Sequence, residues 1–304
     1  MAEAVERLAR GHYENFGVLT PLTAGWLRRD FATVYAFCRG VDDAGDRVGV
    51  SAEDRLEELS RWRAAVRGVW AGEGAEAARE VGVAGLWDRL EELVVRRGLR
   101  VEPFEDLIGA FERDQRQGVY ETWDDLLSYC AKSADPVGRI VLALGGVDER
   151  DPAEAEVVRM SDLVCTGLQL ANMWQDVRRD LLDLGRVYLP VAETGLGPEE
   201  LREMAERGGD ASARVRFIRA MRPMVDRTRD EFFGPSLGLS GLLRERGGGA
   251  AGLAGPVWLF RGGGVAALEA VERVGCATLW GRPRVGLLRR ARLLVGAWVR
   301  FGLR

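Results

Sequence analysis

Apolar residues recur every three or four positions along most of the 304-residue chain, which is the spacing of one face of an α-helix. In the segment 28–46, for example, Phe31, Val34, Cys38 and Val41 follow this spacing. The chain shows no sustained alternation with a period of two residues and no β-hairpin signal. The pattern therefore predicts an all-α protein.

Short segments rich in glycine or proline divide this pattern into about ten helices. The predicted helices cover 28–46, 52–69, 86–97, 103–117, 123–144, 154–182, 198–207, 211–233, 255–274 and 284–301. None of the breaks is long or polar enough to be a domain linker. The sequence therefore predicts one helical domain over residues 1–304.

Charge and cysteine content exclude several classes of protein. The 43 basic and 47 acidic residues give a net charge of −4, so no basic field favours nucleic acid. The four cysteines are far apart and form no CxxC pair, which indicates reduced thiols and neither a zinc site nor a disulfide framework. No apolar signal sequence and no run of about 18 apolar residues is present. We therefore expect a cytoplasmic protein.

The first acidic motif is Arg39-Gly-Val-Asp42-Asp43-Ala-Gly-Asp46. On a helix, Asp42 and Asp46 lie one turn apart on the same face, where their like charges repel. A bound cation would relieve this repulsion, and hard carboxylate oxygens suit Mg²⁺. The alternative is a solvated helix end or capping cluster.

The second acidic motif runs from Gln169 to Asp180. Asn172, Asp176 and Asp180 recur every four residues, over about 12 Å of helix rise. Apolar neighbours indicate that this helix is largely buried, so its polar oxygens need partners. The alternative is a surface face paired with nearby arginines.

The two motifs together favour a metal site over either alternative. Two such helices facing each other would form a cavity with acidic rims and apolar walls. Metal ions could bridge the rims through a diphosphate and promote its departure. The arginines that could assist are Arg39, Arg139, Arg178, Arg179 and Arg186.

Both motifs resemble those of a known family. Residues 34–46, and residues 168–180 followed by 185–190, are similar to the two signatures of squalene and phytoene synthases. Segments 12–16 and 133–139 resemble the hydroxysqualene synthase branch of bacterial hopanoid pathways. The resemblance implies an isoprenoid synthase-type, single-domain helical bundle with a central apolar cavity that binds Mg²⁺.

The resemblance also implies roles for individual residues. The expected metal ligands are Asp42, Asp46, Asn172, Asp176 and Asp180. The expected catalytic residues are Asp42, Asp46, Asp176 and Tyr129, the last of which would orient water or stabilise a cation. The expected substrate-binding residues are His12, Asn15, Phe16, Arg39, Gln169, Arg186 and Tyr188. A structural role for His12 is the alternative.

For the hydroxysqualene synthase branch, the implied reaction is loss of diphosphate from presqualene diphosphate and capture of the cation by water. Head-to-head condensation of two prenyl diphosphates is the alternative. The stretch Tyr13-Glu-Asn-Phe16 replaces a serine-rich stretch of the condensing enzymes, which weakens that alternative. A non-catalytic helical subunit is a third hypothesis.

Gly45 stands where the family more often has a larger residue, and we expect this difference to have only a local effect on packing.

Three further features of the sequence each have two possible interpretations. Asp114 either matches a family position or lies on a solvated helix face, and Trp174 either stabilises a cation or belongs to the core. The basic, amphipathic segment 285–301 either rests peripherally on the inner membrane face or packs on the bundle with a solvated arginine face. A prenyl diphosphate and other enzymes of squalene synthesis are the expected partners.

Overall fold

A computed structural model describes residue 5 and residues 23–73, 80–206, 208 and 210–302. Across these ranges the regular structure is helical, and the only β-type pairing is one isolated bridge between Val119 and Val187. The all-α prediction is confirmed.

Fourteen α-helices lie within the described ranges. They are α1 (Gly25–Gly45), α2 (Ala52–Ala71), α3 (Leu86–Arg97), α4 (Glu102–Asp114), α5 (Trp123–Ser133), α6 (Asp135–Leu144), α7 (Ala155–Arg179), α8 (Val191–Thr194), α9 (Pro198–Glu206), α10 (Ala211–Thr228), α11 (Leu239–Arg246), α12 (Gly248–Ala251), α13 (Ala254–Arg273) and α14 (Leu287–Phe301). Short 3-10 turns cover Pro152–Glu154, Pro235–Gly238 and Thr278–Trp280, and π turns cover Asp180–Leu184 and Arg229–Phe233.

Most of the predicted helices are present, but the prediction of one helix over 123–144 is wrong. The chain breaks at Ala134, whose φ of −125° and ψ of −50° lie outside the helical region. Asp135 begins a new helix with Pro136 in its first turn, where the missing proline N–H costs no hydrogen bond. The long helices predicted over 154–182 and 211–233 end in the two π turns.

Two clusters of buried side chains form the core. In the first, the Phe37 ring lies 5.0–6.3 Å from the rings of Trp62, Trp87 and Phe104, in edge-to-face contacts. In the second, α7 packs against α10, α13 and the Arg229–Phe233 turn. The first cluster contains Val41 and Ala44, beside the first acidic motif, and the second contains Ala171, Met173 and Val177, beside the second.

Trp174 belongs to the second cluster and does not line the cavity described below. Its indole N–H donates to the Thr228 hydroxyl at 2.8 Å, and its ring stacks on Trp123. The structure therefore supports the core interpretation of Trp174.

In the part of the chain that the structure describes, no helix combines the length and apolar character needed to cross a membrane.

Candidate active site

A cavity of about 300 Å³ lies between α1, α4, α5, α6, α7 and the segment that follows α7. Both acidic motifs line it. The polar and charged lining residues are Cys38, Arg39, Asp42, Asp46, Asp114, Ser133, Gln169, Asn172, Asp176, Arg179, Asp180 and Arg186. The other lining residues are Tyr35, Leu107, Phe111, Tyr129, Val137, Met173, Leu184 and Tyr188. The wall is therefore apolar only in part, whereas the sequence predicted an apolar cavity.

The last turns of α1 present the first motif to the cavity. Asp42 and Asp46 line the wall, while Asp43 is exposed and forms an ion pair with Arg39 at 2.6 Å. Arg39 also contacts Asp42 at 3.1 Å. One guanidinium thus offsets the repulsion within the acidic run.

The second motif faces the first from α7. Asn172 and Asp176 lie on the helix, and Asp180 begins the π turn that follows it. Asp180 is buried, and burial raises its pKa well above the ordinary value, helped by the nearby charge of Asp176. Arg179 and Arg186 act in the opposite direction, because a cation close to the carboxyl favours its charged form.

Two arginines connect the motifs at Asp46. Arg186 Nη1 lies 2.6 Å from one carboxylate oxygen of Asp46, and Arg179 Nη2 lies 3.3 Å from the other. Arg186 also donates to the Gly45 carbonyl at 2.9 Å. The guanidinium of Arg186 is 4% exposed, so its charge is held inside the protein.

Asp114 is the centre of a buried hydrogen-bond network at the base of the cavity. Its carboxylate accepts hydrogen bonds from the hydroxyls of Tyr129 at 2.5 Å, Tyr188 at 2.9 Å and Tyr120 at 3.1 Å. Arg186 Nη1 lies 3.6 Å away. The interpretation of Asp114 as part of a solvated face is wrong.

Burial is the main cause of the pKa shifts in this network. Burial raises the pKa of Asp114, against the lowering effects of Arg186 and the three tyrosines. Burial and then the charge of Asp114 raise the pKa of Tyr129 well above its ordinary value. Tyr129 is therefore a neutral hydrogen-bond donor near neutral pH and not a base.

The sequence also contains a signal against the solvated-face interpretation of Asp114. Leu107, Phe111 and Asp114 are spaced by four and three residues, so Asp114 continues the apolar stripe of α4. An acid on the buried face of a helix needs buried partners.

Arg282 is a residue that sequence reasoning missed. Its guanidinium Nη2 donates to Asp176 at 2.9 Å, across 106 positions of sequence. Two of the predicted arginines, in contrast, do not line the cavity. Arg139 pairs with Asp162 at 2.9 Å, and Arg178 donates to the Leu279 carbonyl at 3.3 Å. These two predictions are wrong.

The other predicted substrate contacts divide into two groups. Gln169 and Tyr188 line the cavity, as Arg39 and Arg186 do. His12, Asn15 and Phe16 lie outside the described residues. The hydroxyl of Ser133, which sequence reasoning did not single out, is buried in the cavity wall, and no described residue bonds to it.

The donor set can be compared with what Mg²⁺ requires. Within the described ranges, no three acidic, histidine or cysteine side chains come close enough to enclose an ion by themselves. Magnesium usually keeps several waters and uses one or two carboxylates together with substrate phosphates. Asp42, Asp46, Asn172, Asp176 and Asp180 therefore fit a metal that is shared with a diphosphate, and do not form an all-protein cage.

Comparison with known proteins gives three findings. The model of the squalene/phytoene synthase family matches residues 9–290. Hydroxysqualene synthase of Sinorhizobium fredii is 32% identical over 194 residues, which cover 63% of this chain and 58% of the relative. Hydroxysqualene synthase of Zymomonas mobilis is 34% identical over 183 residues, which cover 60% and 56% of the two chains. These matches thus span little more than half the length of each curated relative.

Solved structures match this chain over a longer range than the two curated relatives do. A structure of squalene synthase HpnC from Alicyclobacillus acidocaldarius is 37% identical, with a TM-score of 0.70, covering 90% of this chain and 94% of that one. A dehydrosqualene synthase structure is 20% identical with a TM-score of 0.69, which supports the fold alone.

Proposed function

Because this chain belongs to the squalene/phytoene synthase family, we propose that it ionises presqualene diphosphate with Mg²⁺ and lets water capture the cation, giving hydroxysqualene and diphosphate. One observation carries the proposal: both acidic motifs, three arginines and three tyrosines line the same cavity. The names of the two bacterial relatives favour this reaction within the family.

In this proposal the two acidic motifs hold the diphosphate end of the substrate. Asp42 and Asp46 on one side, and Asn172, Asp176 and Asp180 on the other, would hold Mg²⁺. The chemistry that Mg²⁺ supplies when bound is neutralisation of the leaving group, which lowers the cost of breaking the C–O bond.

Three arginines beside the two motifs bind and orient the same leaving group. Arg186 and Arg179 contact Asp46, and Arg282 contacts Asp176, so each cation lies beside a proposed ligand. A guanidinium can donate two parallel hydrogen bonds to phosphate oxygens. Arg186 is held by Asp46 and Gly45 and is therefore preorganised for this role.

The inner part of the cavity suits the hydrocarbon and the cation. Leu107, Phe111, Val137 and Met173 provide apolar surface that excludes bulk water. The Tyr129 hydroxyl donates a hydrogen bond to Asp114, so its oxygen lone pairs remain available to accept a hydrogen bond from one captured water. The C–O bond breaks with its electron pair on diphosphate, and the cyclopropylcarbinyl cation rearranges with opening of the ring. The water oxygen then bonds to the cationic carbon, and its proton passes to the released diphosphate.

Product analysis tests the proposal. Purified enzyme is incubated with Mg²⁺ and either presqualene diphosphate or farnesyl diphosphate, and lipids and released diphosphate are measured. We expect hydroxysqualene from presqualene diphosphate and loss of turnover with a chelator. Asp176→Asn should reduce turnover by roughly 10²-fold or more, since it removes a charge that acts on the leaving group.

Asp30→Asn is the matched control, because Asp30 is equally buried in an arginine network away from the cavity. It should leave turnover near the wild-type value. Consumption of farnesyl diphosphate alone would support the condensing alternative, which the phytoene synthase relatives and the squalene synthase structure keep open. Absence of diphosphate release from both substrates would contradict catalysis.

A further inference from the structure

The C-terminal helix α14 exposes apolar side chains on the face that points away from the bundle. Its inner face packs on α13 through Leu293 and Ala297. The outer face carries Leu287, Leu288, Leu294, Val295, Trp298 and Val299, which are between 41% and 83% exposed. At about 100° of rotation per residue, these positions fall within an arc of roughly 140°. The helix therefore packs on the bundle, as one of the two alternatives predicted, but its outer side is mainly apolar and is not a face of solvated arginines.

Arginines surround this apolar stripe. Arg292 follows it on one side of the helix and Arg290 on the other, at the same rotation per residue. Beside the helix, an open groove of about 560 Å³ is lined by Arg273, Arg289, Arg292 and Leu288. The groove also contains Glu269, which Arg289 engages at 2.8 Å. The stripe thus lies next to cationic side chains and a groove large enough for a phosphate headgroup.

The charge of this region is opposite to that of the rest of the chain. Residues 273–304 contain eight of the 43 basic residues and none of the 47 acidic ones. The protein as a whole has a net charge of −4, so the preceding part is clearly acidic. This separation orients one end of the molecule toward an anionic surface.

We infer that α14 lies on an anionic lipid bilayer, with its apolar stripe among the acyl chains and its arginines at the phosphates. Helices that lie in the membrane interface typically expose leucine, valine and tryptophan side chains beside arginines. Tryptophan is favoured at that depth, as Trp298 would be. The proposed substrate and product are both lipids, so docking would place the enzyme where they partition.

A second copy of this chain fits the same surface poorly. A symmetric pair would bring the identical face together and place two sets of arginines opposite each other, because the acidic residue of the groove, Glu269, is already paired with Arg289. Like charges brought together in this way oppose association. An anionic bilayer, in contrast, supplies the missing negative charge.

Vesicle flotation with the full-length protein tests this inference. The wild type is mixed with vesicles of phosphatidylcholine alone or of phosphatidylcholine and phosphatidylglycerol in equal parts, and the partition coefficient is measured. We expect binding to the anionic vesicles only, and its loss in 1 M salt, where the Debye length falls to about 3 Å. No binding to anionic vesicles would overturn the inference, as would equal binding to both kinds.

Two sets of substitutions separate the apolar and the charged contributions. Leu288→Glu with Val295→Glu should lower the partition coefficient at least tenfold, because it places charges in the stripe. Arg273→Gln, Arg290→Gln and Arg292→Gln together should lower it by roughly 10²-fold. Unchanged binding in either set would contradict docking through α14.

Val95→Glu is the matched control, since Val95 is 81% exposed, as is Leu288, but lies on α3. It should bind vesicles as the wild type does, and all variants should keep the wild-type circular dichroism spectrum. Sedimentation velocity without lipid completes the test. If the wild type is a dimer and Leu288→Glu with Val295→Glu makes it monomeric, the stripe is a protein interface and the inference is wrong.

Discussion

Asp114→Asn removes one negative charge from the buried network while keeping the shape of the side chain. Asp114 accepts three tyrosine hydroxyls and lies 3.6 Å from Arg186. An asparagine carbonyl oxygen has two lone pairs, so at most two of the hydroxyls keep an acceptor of the same kind. The third hydroxyl then faces an NH₂ group, which is a donor.

The expected change in the free energy of unfolding follows from these contacts. A hydrogen bond to a charged group contributes about 1.5–3 kcal/mol and a neutral one about 0.5–1.5 kcal/mol, so three weakened bonds lose roughly 3 kcal/mol. The raised pKa of Asp114 shows that burying its charge is costly, and the neutral amide avoids this cost. We therefore expect a net loss of about 2 kcal/mol.

The effect on turnover should be larger than the effect on stability. Tyr129 and Tyr188 line the cavity and share Asp114 as their acceptor, so the substitution releases both from fixed positions. Misplacement of a catalytic group by about 1 Å can reduce the rate by roughly 10²-fold. Thermal denaturation and diphosphate release from presqualene diphosphate measure the two effects separately.

Asp30→Asn again provides the comparison. Asp30 is 2% exposed and accepts four hydrogen bonds from Arg96 and Arg97. We expect this variant to lose stability with little change in turnover. If Asp114→Asn loses stability to the same extent and keeps wild-type turnover, Asp114 has no positioning role and the reasoning is refuted.

Two further predictions concern residues beside the cavity. Burial raises the pKa of Asp135 to about 7. A carboxyl whose pKa is raised in the folded state binds its proton more tightly there, so its contribution lowers stability as pH rises from about 4 to 7. Asp135→Asn should flatten this slope in urea unfolding, by at most roughly 4 kcal/mol, and an unchanged slope would contradict it. Gly45→Ala should lower the melting temperature, because the new Cβ would lie 2.6 Å from the Phe111 ring. That steric overlap costs about 1–3 kcal/mol, which outweighs the gain of about 1 kcal/mol in helix propensity. Gly25→Ala, with no atom within 4 Å, is its control, and a rise in both melting temperatures would contradict the expected overlap.

The sequence by itself determined the helices and the relative placement of groups within each helix. The periodicity of apolar residues located most helical segments, including Leu86–Arg97 at its observed bounds. The four-residue spacing of Asp42 with Asp46, and of Asp176 with Asp180, places each pair on one face, since helical geometry is local. Where the observed bounds of a helix differ from the predicted ones, as at the break before Pro136, the cause is also local.

Only the tertiary structure decided which groups from distant segments meet. Arg282 reaches Asp176 across 106 residues, and three tyrosines from different segments converge on Asp114. The outward direction of the apolar stripe on α14 likewise depends on which face packs against α13. Such contacts depend on how whole helices pack together. A repeating pattern within one segment indicates which face is apolar, but it does not indicate which other segment that face contacts.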